Sequence, residues 1–433
     1  MLEQAPKEKI SAKTLELLRD KEVSKVIKTI NDEYLYWDKV KYKTKDIDPQ
    51  QLWQVVKMSR QFNYKQLKFG NYIFNYITTD YIQKLMHYFD MHIGGYIGAK
   101  SVIPEEEKMR YLVSSIMEEA ISSSQIEGAN TTRKKAKEML RKEVKPKTKS
   151  EQMIVNNYLT IKHITQNRHE ELTPEKLLFV HKLISCDTLD NKIEEGEFRN
   201  SNDIYVINYT NSEVVHTPPN HKEVNELIND LCKFFNTEDD KFVHPVLKAI
   251  IIHFMIGWIH PFTDGNGRTA RALFYWYLLK KGYWLTEYLS ISRIIQDTKN
   301  QYERAFLYTE NDDNDLSYFI TYNLKVMEKA FEALKHYIQQ KQKENLQIAN
   351  FVRIPNVNER QGQLLKLLFD EPEIIFNVKE VENRFAVSNY TARTDLKGLV
   401  DLGFLEAIQV NKVKQNFVRS KKFENLLLKY NIK

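Results

Sequence analysis

Cysteine, glycine and proline are scarce in this sequence of 433 residues, which contains 2 cysteines, 13 glycines and 11 prolines. So few cysteines exclude a disulfide-stapled secreted scaffold, and Cys186 and Cys232 lack the spacing of a metal or redox motif. Few glycines and prolines leave long stretches free to form helices, because these residues are the strongest interrupters of regular structure. We therefore expect a mainly α-helical protein of a reducing compartment, which predicts a cytoplasmic location.

Long apolar segments and a strong charge of one sign are also missing. The most apolar stretch, residues 249–259, is too short to cross a bilayer and includes His253, and the polar N-terminus does not resemble a signal peptide. A net charge of +6 from 64 basic and 58 acidic residues does not demand a nucleic-acid or acidic partner. We expect no membrane partner.

The length predicts two or three domains. Apolar residues recurring at three and four positions predict helices over residues 52–86, 108–140, 173–184 and 223–235, with Thr173 as the N-cap of the third. Residues 204–215 predict a β-hairpin with a polar turn at 208–212. Residues 351–358 contain Pro355 and predict a linker.

The last part of the chain changes character. Residues 359–369, 378–385 and 390–402 predict three helices, the last capped by Ser388, and 404–410 and 416–419 predict two strands. This is the order of a winged helix-turn-helix domain. Tyr390, Arg393 and Lys397 on the third helix could contact DNA, but the region is only mildly basic, so DNA and protein partners both stay open. The predicted division is 1–105, an N-terminal helical region; 106–345, a core; and 346–433, the winged helix.

The densest chemical pattern is residues 260–271, His-Pro-Phe-Thr-Asp-Gly-Asn-Gly-Arg-Thr-Ala-Arg, between two apolar helices. Gly265 and Gly267 flank Asn266 where the second helix should begin, which exposes backbone N–H groups as an anion site. Arg268 and Arg271 are three positions apart and share a helix face, so both can reach a polyphosphate. The pattern predicts phosphate binding.

Two further side chains of this segment supply reactive groups. Asp264 offers a carboxylate oxygen of the kind that Mg²⁺ prefers. His260 is the local side chain that can act as a base near neutral pH. A base, a metal ligand and an anion site within one short segment predict an enzyme rather than a tight interhelical turn.

The segment resembles the signature of the Fic family, His-Pro-Phe-x-[Asp/Glu]-Gly-Asn-[Gly/Lys]-Arg, at every position. Residues 196–199, Gly-Glu-Phe-Arg, resemble the entry to the family's β-hairpin flap, and residues 217–219 resemble its exit, within a similarity that covers residues 111–319. The resemblance implies a mainly α fold: a Fic helical core with a β-hairpin flap, followed by the winged helix domain.

The resemblance also implies a reaction, the transfer of AMP from ATP to a Ser, Thr or Tyr hydroxyl of a target protein, with self-modification possible. It implies that His260 deprotonates the hydroxyl, Asp264 holds Mg²⁺ and Arg268 binds the distal phosphates. Gly265, Asn266 and Gly267 would bind the α- and β-phosphates. Gly267 stands where relatives that resemble protein kinases have Lys, which favours AMP transfer.

A second segment, in the helix predicted before the core, carries Ser123, Glu127 and Gly128. Ser123 and Glu127 are four apart and share a face, and Gly128 is expected to end the helix. The segment resembles the family's inhibitory motif, [Ser/Thr]-x-x-x-Glu-[Gly/Asn]. That resemblance implies that Glu127 pairs with Arg271 in place of the γ-phosphate, and that removal of AMP is a possible second activity.

The hairpin would act as the flap that docks target proteins, with Val206 and Ile207 as the edge that takes an extended segment by β-augmentation. Two hypotheses remain. One is a protein adenylyltransferase that uses ATP and Mg²⁺; the alternative is a DNA-binding regulator whose Fic-like core senses nucleotide. The presence of His260 favours the first, because a sensor does not need a base. A homo-oligomer stays open.

Overall fold

The computed structural model describes residues 2–6, 12–94, 108–141, 143–207, 214–237, 242–385, 387–410, 415–430 and 432. The chain divides into two units, Met1–Leu334 and Lys335–Lys433. The division falls inside a long helix and before the predicted boundary at residue 345.

The first part of the first unit combines helices with one β-hairpin. Its elements are α1 (Ala12–Arg19), α2 (Lys21–Glu33), α3 (Trp37–Val40), α4 (Pro49–Gln61), β1 (Lys65–Phe69), β2 (Tyr72–Tyr76) and α5 (Asp80–Phe89). The helices predicted over residues 52–86 are therefore interrupted by a β-hairpin that was not predicted. Phe69 and Phe74 are buried on one face of the antiparallel pair, and Gly70 has φ 54° in the two-residue turn, so a period-two pattern was taken for a helical one.

The remainder of the first unit is helical apart from a short second hairpin. Its elements are α6 (Lys108–Ile126), α7 (Arg133–Arg141), α8 (Lys149–Gln166), α9 (Pro174–Ser185), β3 (Val206–Ile207), β4 (Val214–His216), α10 (Val224–Asn236), α11 (Pro245–Ile259), α12 (Asn266–Lys280), α13 (Ile291–Asp297), α14 (Lys299–Asn311) and α15 (Ser317–Val352). The predicted caps are confirmed: the Thr173 side chain accepts from the backbone N–H of Lys176, and α6 ends before Gly128, which has φ 93°.

Helices α11 and α12 form the centre of this unit. Nearly every residue of each is buried, so α11 is apolar on all sides because it packs against protein on all sides. The loop between these two helices is consequently held by a rigid, buried pair.

In the described part of the chain, no helix is long and apolar enough to cross a membrane.

The second unit contains α16 (Glu359–Asp370), β5 (Phe376–Asn377), α17 (Val378–Phe385), α18 (Asn389–Asp401), β6 (Leu405–Gln409), β7 (Gln415–Arg419) and α19 (Phe423–Lys429). The strands form an antiparallel sheet in the order β5-β7-β6. The three predicted helices and two strands are confirmed; β5 and α19 were not predicted. The linker at 351–358 is wrong, because Phe351, Ile354 and Val357 are buried in this unit's core. The assignment as a winged helix stays a prediction.

Candidate active site

The loop that joins α11 to α12 begins with His260, which ends α11 in the left-handed conformation (φ 49°). Its Nδ1 lies 3.2 Å from the carbonyl oxygen of Gly257. A carbonyl can only accept, so Nδ1 carries the proton and Nε2 keeps its lone pair. Burial lowers the pKa of His260 to about 4, which keeps the ring neutral near neutral pH. The half-buried ring therefore has the protonation state that a base requires.

Asn266 closes the loop with its side chain. The Phe262 backbone N–H donates to Asn266 Oδ1 (3.0 Å), and Asn266 Nδ2 donates to the Phe262 carbonyl oxygen (2.8 Å). Gly265 precedes the helix with φ 82°, a conformation that glycine adopts without strain. The amide group of Asn266 is thus used within the loop, and its contribution to a phosphate site would come from its backbone N–H.

His181 on α9 packs against the loop. Its ring stacks on Phe262 with centroids 3.7 Å apart, and its Nε2 donates to the Asp264 carbonyl oxygen (2.9 Å). The Gly196 backbone N–H donates to His181 Nδ1 (3.1 Å), which fixes the tautomer. Burial lowers the pKa of His181 to about 4. The sequence placed His181 on a core helix but assigned it no role in the loop.

The two predicted arginines are buried at the start of α12, with 0% and 1% exposure for Arg268 and Arg271. Arg268 Nη1 donates to the Ile184 carbonyl oxygen (3.0 Å). Arg268 Nε and Nη2 and Arg271 Nη1 are buried and have no hydrogen-bond partner within the described residues. Buried charged donors without partners are costly. An anion at this helix N-terminus would satisfy them and would also be favoured by the helix dipole.

Asp264 lies beside these donors with its side chain 52% exposed and Oδ1 3.8 Å from Arg268 Nη2. Among the residues that the structure describes, no group of three or more His, Cys, Asp or Glu could hold a metal by itself. Mg²⁺, however, is commonly bound by one or two carboxylates together with substrate phosphates. Asp264 next to an anion site fits that arrangement.

Glu127 reaches the same place from the end of α6. Arg271 Nη2 donates to Glu127 Oε1 (2.8 Å), and Arg271 Nε donates to Ser123 Oγ (2.8 Å). A Cβ atom added to Gly267 would collide with Glu127 Oε1 and lie 2.9 Å from its Cδ. The Glu127 carboxylate therefore rests against the first turn of α12, within the predicted phosphate site.

The end of α6 is anchored by contacts that sequence reasoning missed. The buried Glu119 carboxylate accepts from Tyr275 Oη (2.9 Å) and from the Ser292 backbone N–H (3.0 Å). Burial raises the pKa of Glu119, and hydrogen bonds from Ser292 and Tyr275 oppose that rise. Lys299 Nζ donates to the Ile126 carbonyl oxygen (3.3 Å) at the helix end. These contacts hold Glu127 in place against Arg271.

The predicted hairpin is present as the antiparallel pair β3–β4, with Val206 opposite His216 and Ile207 opposite Val214, and its role as a docking flap stays a prediction. Ile207 and Val214 are 43% and 55% exposed. Exposed apolar side chains on a short strand leave an edge free for another chain. The predicted turn at residues 208–212 lies outside the described residues.

The fold and the loop define a class of helical protein in which two buried helices present a neutral histidine next to a helix N-terminus that carries two buried arginines. Residues 171–278 match the model of the Fic/DOC family. This segment is therefore similar to a Fic domain, and the fold that contains it is mainly α with small sheets.

Two curated relatives match a similar length of sequence. The protein adenylyltransferase Fic of Aedes aegypti is 33% identical over 117 residues, which is 27% of this chain and 21% of that protein. The protein adenylyltransferase fic-1 of Caenorhabditis elegans is 28% identical over 120 residues, 28% of this chain and 22% of that protein. The chain thus spans about one fifth of the length of these relatives.

Solved structures share the fold over more of the chain. A Fic family protein from Desulfovibrio desulfuricans superposes with a TM-score of 0.51 at 19% identity, covering 79% of this chain and 97% of that one. Fic-1 from Caenorhabditis elegans gives 0.50 at 16% identity, covering 76% and 88%. At these identities the likeness shows the fold alone.

Proposed function

We propose that this protein is a protein adenylyltransferase, which transfers AMP from ATP to a Ser, Thr or Tyr hydroxyl of target proteins and of itself. One observation carries the proposal: buried N–H groups of Arg268 and Arg271, which have no hydrogen-bond partner among the described residues, lie at a helix N-terminus that follows the neutral histidine His260. A polyphosphate would accept hydrogen bonds from these arginine N–H groups. A proton acceptor beside the polyphosphate would serve to activate a hydroxyl for attack on it. The names of the matched relatives support this reading.

The chemistry follows from what each group can do. His260 Nε2 accepts the proton of the incoming hydroxyl, whose oxygen forms a bond to the α-phosphorus of ATP. The bond from that phosphorus to the oxygen bridging to the β-phosphate breaks, and pyrophosphate leaves. Arg268, Arg271 and the first N–H groups of α12 hold the charge of the phosphates, and Mg²⁺ bound through Asp264 would neutralise the leaving pyrophosphate.

The same geometry supports autoinhibition. The Glu127 carboxylate accepts a hydrogen bond from Arg271 and fills the space next to Gly267. A γ-phosphate would need the same guanidinium. Carboxylate and phosphate are both strong acceptors for arginine, so one must displace the other. Productive ATP binding would then require the end of α6 to withdraw. Removal of AMP by the same site stays a prediction.

The test is mass spectrometry of protein labelled by the Glu127→Gly variant. Incubation with ATP and a cell lysate should add AMP to target hydroxyls and to the variant itself, with pyrophosphate released in equal amount. The double variant Glu127→Gly/His260→Ala is the matched control and should label neither. An added phosphate with ADP as by-product would show that ATP binds in the reverse orientation and would overturn the proposal.

A second candidate function is supported by charge. Residues 335–433 contain 17 Lys and Arg against 11 Asp and Glu, whereas residues 1–334 contain 47 of each, so the whole net charge of +6 belongs to the second unit. Asp395 of α18 is 2% exposed and pairs with Arg360 (Nε–Oδ2 2.7 Å). Because Asp395 is buried, the exposed face of α18 presents Tyr390, Arg393 and Lys397 but not the carboxylate of Asp395. We propose that this face binds duplex DNA.

Fluorescence anisotropy of the full chain with duplex DNA tests this second candidate. Binding should weaken steeply between about 50 and 200 mM salt, because phosphate contacts release counterions. Arg393→Glu should weaken it, and Lys379→Glu on α17 is the control of equal charge change. No binding at low salt would leave a protein partner as the alternative. The cytoplasmic location and a homo-oligomer stay predictions.

A further inference from the structure

Three successive carbonyl groups at the C-terminal end of α11 accept hydrogen bonds from the side chains of His216 and Arg199. His216 Nε2 donates to the Trp258 carbonyl oxygen (2.7 Å). Arg199 Nη2 lies 3.4 Å from the Ile259 carbonyl oxygen, and Arg199 Nε donates to the carbonyl oxygen of His260 (2.8 Å). The last carbonyls of a helix have no partner within it and carry the negative end of its dipole. The cap is thus made by long-range side chains, and it includes the backbone of the proposed base.

Those two side chains come from the two ends of the flap. Arg199 lies in the segment that enters it, and His216 ends β4, which leaves it. Arg199 Nη1 also donates to the Ser201 carbonyl oxygen (3.1 Å), and its Nη2 donates to the carbonyl oxygen of Pro219. One guanidinium therefore joins the incoming segment, the outgoing segment and the helix end.

Further bonds tighten this joint. The Arg199 backbone N–H donates to the Pro261 carbonyl oxygen (2.8 Å), the residue after the base. His216 Nδ1 is held by Glu310 Oε2 (2.8 Å) from α14. The carbonyl oxygen of each of residues 258–261 therefore accepts a hydrogen bond from Arg199 or His216. These two residues lie in the flap stems, the segments that enter and leave the flap.

Arginine is required here by geometry. Arg199 is 5% exposed, and its planar fork supplies donors in several directions at once, whereas lysine would supply one compact ammonium group. The His260 backbone has φ 49°, a conformation that a non-glycine residue keeps only when its surroundings hold it. The bonds from Arg199 to residues on both sides of that backbone provide such a hold.

We propose that Arg199 is a positioning residue for AMP transfer, which sets the His260 ring and the target-docking strands of the flap in one fixed relation. The inference rests on the proposed adenylyltransferase function. Arg199 contacts neither the phosphate site nor Arg268 and Arg271 in the contacts described above. Its loss should therefore slow the transfer step and leave nucleotide binding intact.

The experiment uses full-length chains that carry Glu127→Gly, so that the inhibitory contact is removed. Arg199→Met and Arg199→Lys are compared with the parent for the affinity for ATP, the rate of self-labelling with α-labelled ATP, and the ¹⁵N spectrum of the His260 imidazole. Arg168→Met is the matched control, because Arg168 pairs with Glu287 (2.6 Å) and makes no contact with the flap or the loop in the bonds described here.

Arg199→Met should bind ATP as the parent does but label about 100-fold more slowly, the scale of loss that a displacement of about 1 Å produces. Its His260 ring should lose the single Nδ1–H signature, and Arg199→Lys should recover only part of the rate. Labelling at the parent rate with an unchanged imidazole spectrum would overturn the inference. So would a parallel loss of ATP affinity, which would place Arg199 in the nucleotide site.

Two outcomes separate this inference from the proposed function. If the Glu127→Gly parent transfers no AMP, the proposed function fails, and the imidazole spectrum still decides whether Arg199 holds His260. If Arg199→Met does not fold, as judged by circular dichroism, Arg199→Lys decides: labelling at the full parent rate would contradict a role for the fork.

Discussion

Replacement of Glu127 is the sharpest perturbation that the structure offers. Its carboxylate contacts a guanidinium that is 1% exposed, at 2.8 Å, while its own side chain is 29% exposed. Burial lowers the pKa of Arg271, but Glu127, together with Tyr302 and Glu119, more than offsets this, so that the pKa of Arg271 lies above its usual value. Under the proposed function, ATP would have to break this contact before its γ-phosphate could bind Arg271. The contact would therefore weaken ATP binding by the free energy needed to break it.

The size of that cost can be bounded. A hydrogen bond to a charged group contributes a net ~1.5–3 kcal/mol, and couplings between competing sites are typically ~1–3 kcal/mol. A value in this range corresponds to roughly 5- to 150-fold. Glu127→Gly, which removes both the charge and the collision with phosphate, should approach the upper end. Glu127→Gln keeps the volume and one weaker acceptor, so it should fall between wild type and Glu127→Gly.

Two measurements check the series: ATP affinity by calorimetry, and the rate of self-labelling with α-labelled ATP at saturating Mg²⁺. Glu226→Gln, an exposed carboxylate on α10, is the control and should change neither. If Glu127→Gly binds ATP no more tightly and labels no faster than wild type, Glu127 does not restrain the enzyme. Equal activation by Gln and Gly would assign the restraint to charge alone rather than to occupied space.

Three other predictions follow from the same geometry. His260→Ala should slow AMP transfer ~10²–10⁴-fold while ATP binding persists, and undiminished labelling would refute its role as base. Gly267→Ala should be non-additive with Glu127→Gly in free energy of unfolding, by ~0.5–3 kcal/mol, because the new Cβ meets that carboxylate; strict additivity in urea titrations would contradict the contact. Burial lowers the pKa of His181 to about 4 and of His253 to about 3 from an ordinary 6.5. Between these values the unfolded chain binds more protons, so the free energy of unfolding should be full above the ordinary value and fall as pH is lowered through this interval. His253→Gln should flatten that dependence, and an unchanged slope would count against it.

Much of the fold was predicted from local sequence patterns. The Thr173 and Ser388 caps, the stop at Gly128 and the helices α16, α17 and α18 were predicted, because each depends on residues within a few positions of one another. The hairpin at residues 65–76 was missed although its signal is local. Its alternation of buried residues is short and rich in aromatic side chains that also fit a helix face.

The candidate site divides in the same way. The sequence by itself determined the side chains and glycines of the candidate site, because the histidine, the carboxylate, the glycines and the arginines all fall within residues 260–271. It indicated the pairing of Glu127 with Arg271, 144 positions apart, only through resemblance to a family.

Only the tertiary structure decided how those groups are held. Arg199 meets the His260 carbonyl across 61 positions, and His181 meets the Asp264 carbonyl across 83. A backbone carbonyl is the same group at every residue, so no pattern of side chains along the chain records which one a distant arginine or histidine will reach. That choice is made by packing, when α9, α11 and the flap stems bring specific carbonyls within hydrogen-bond distance.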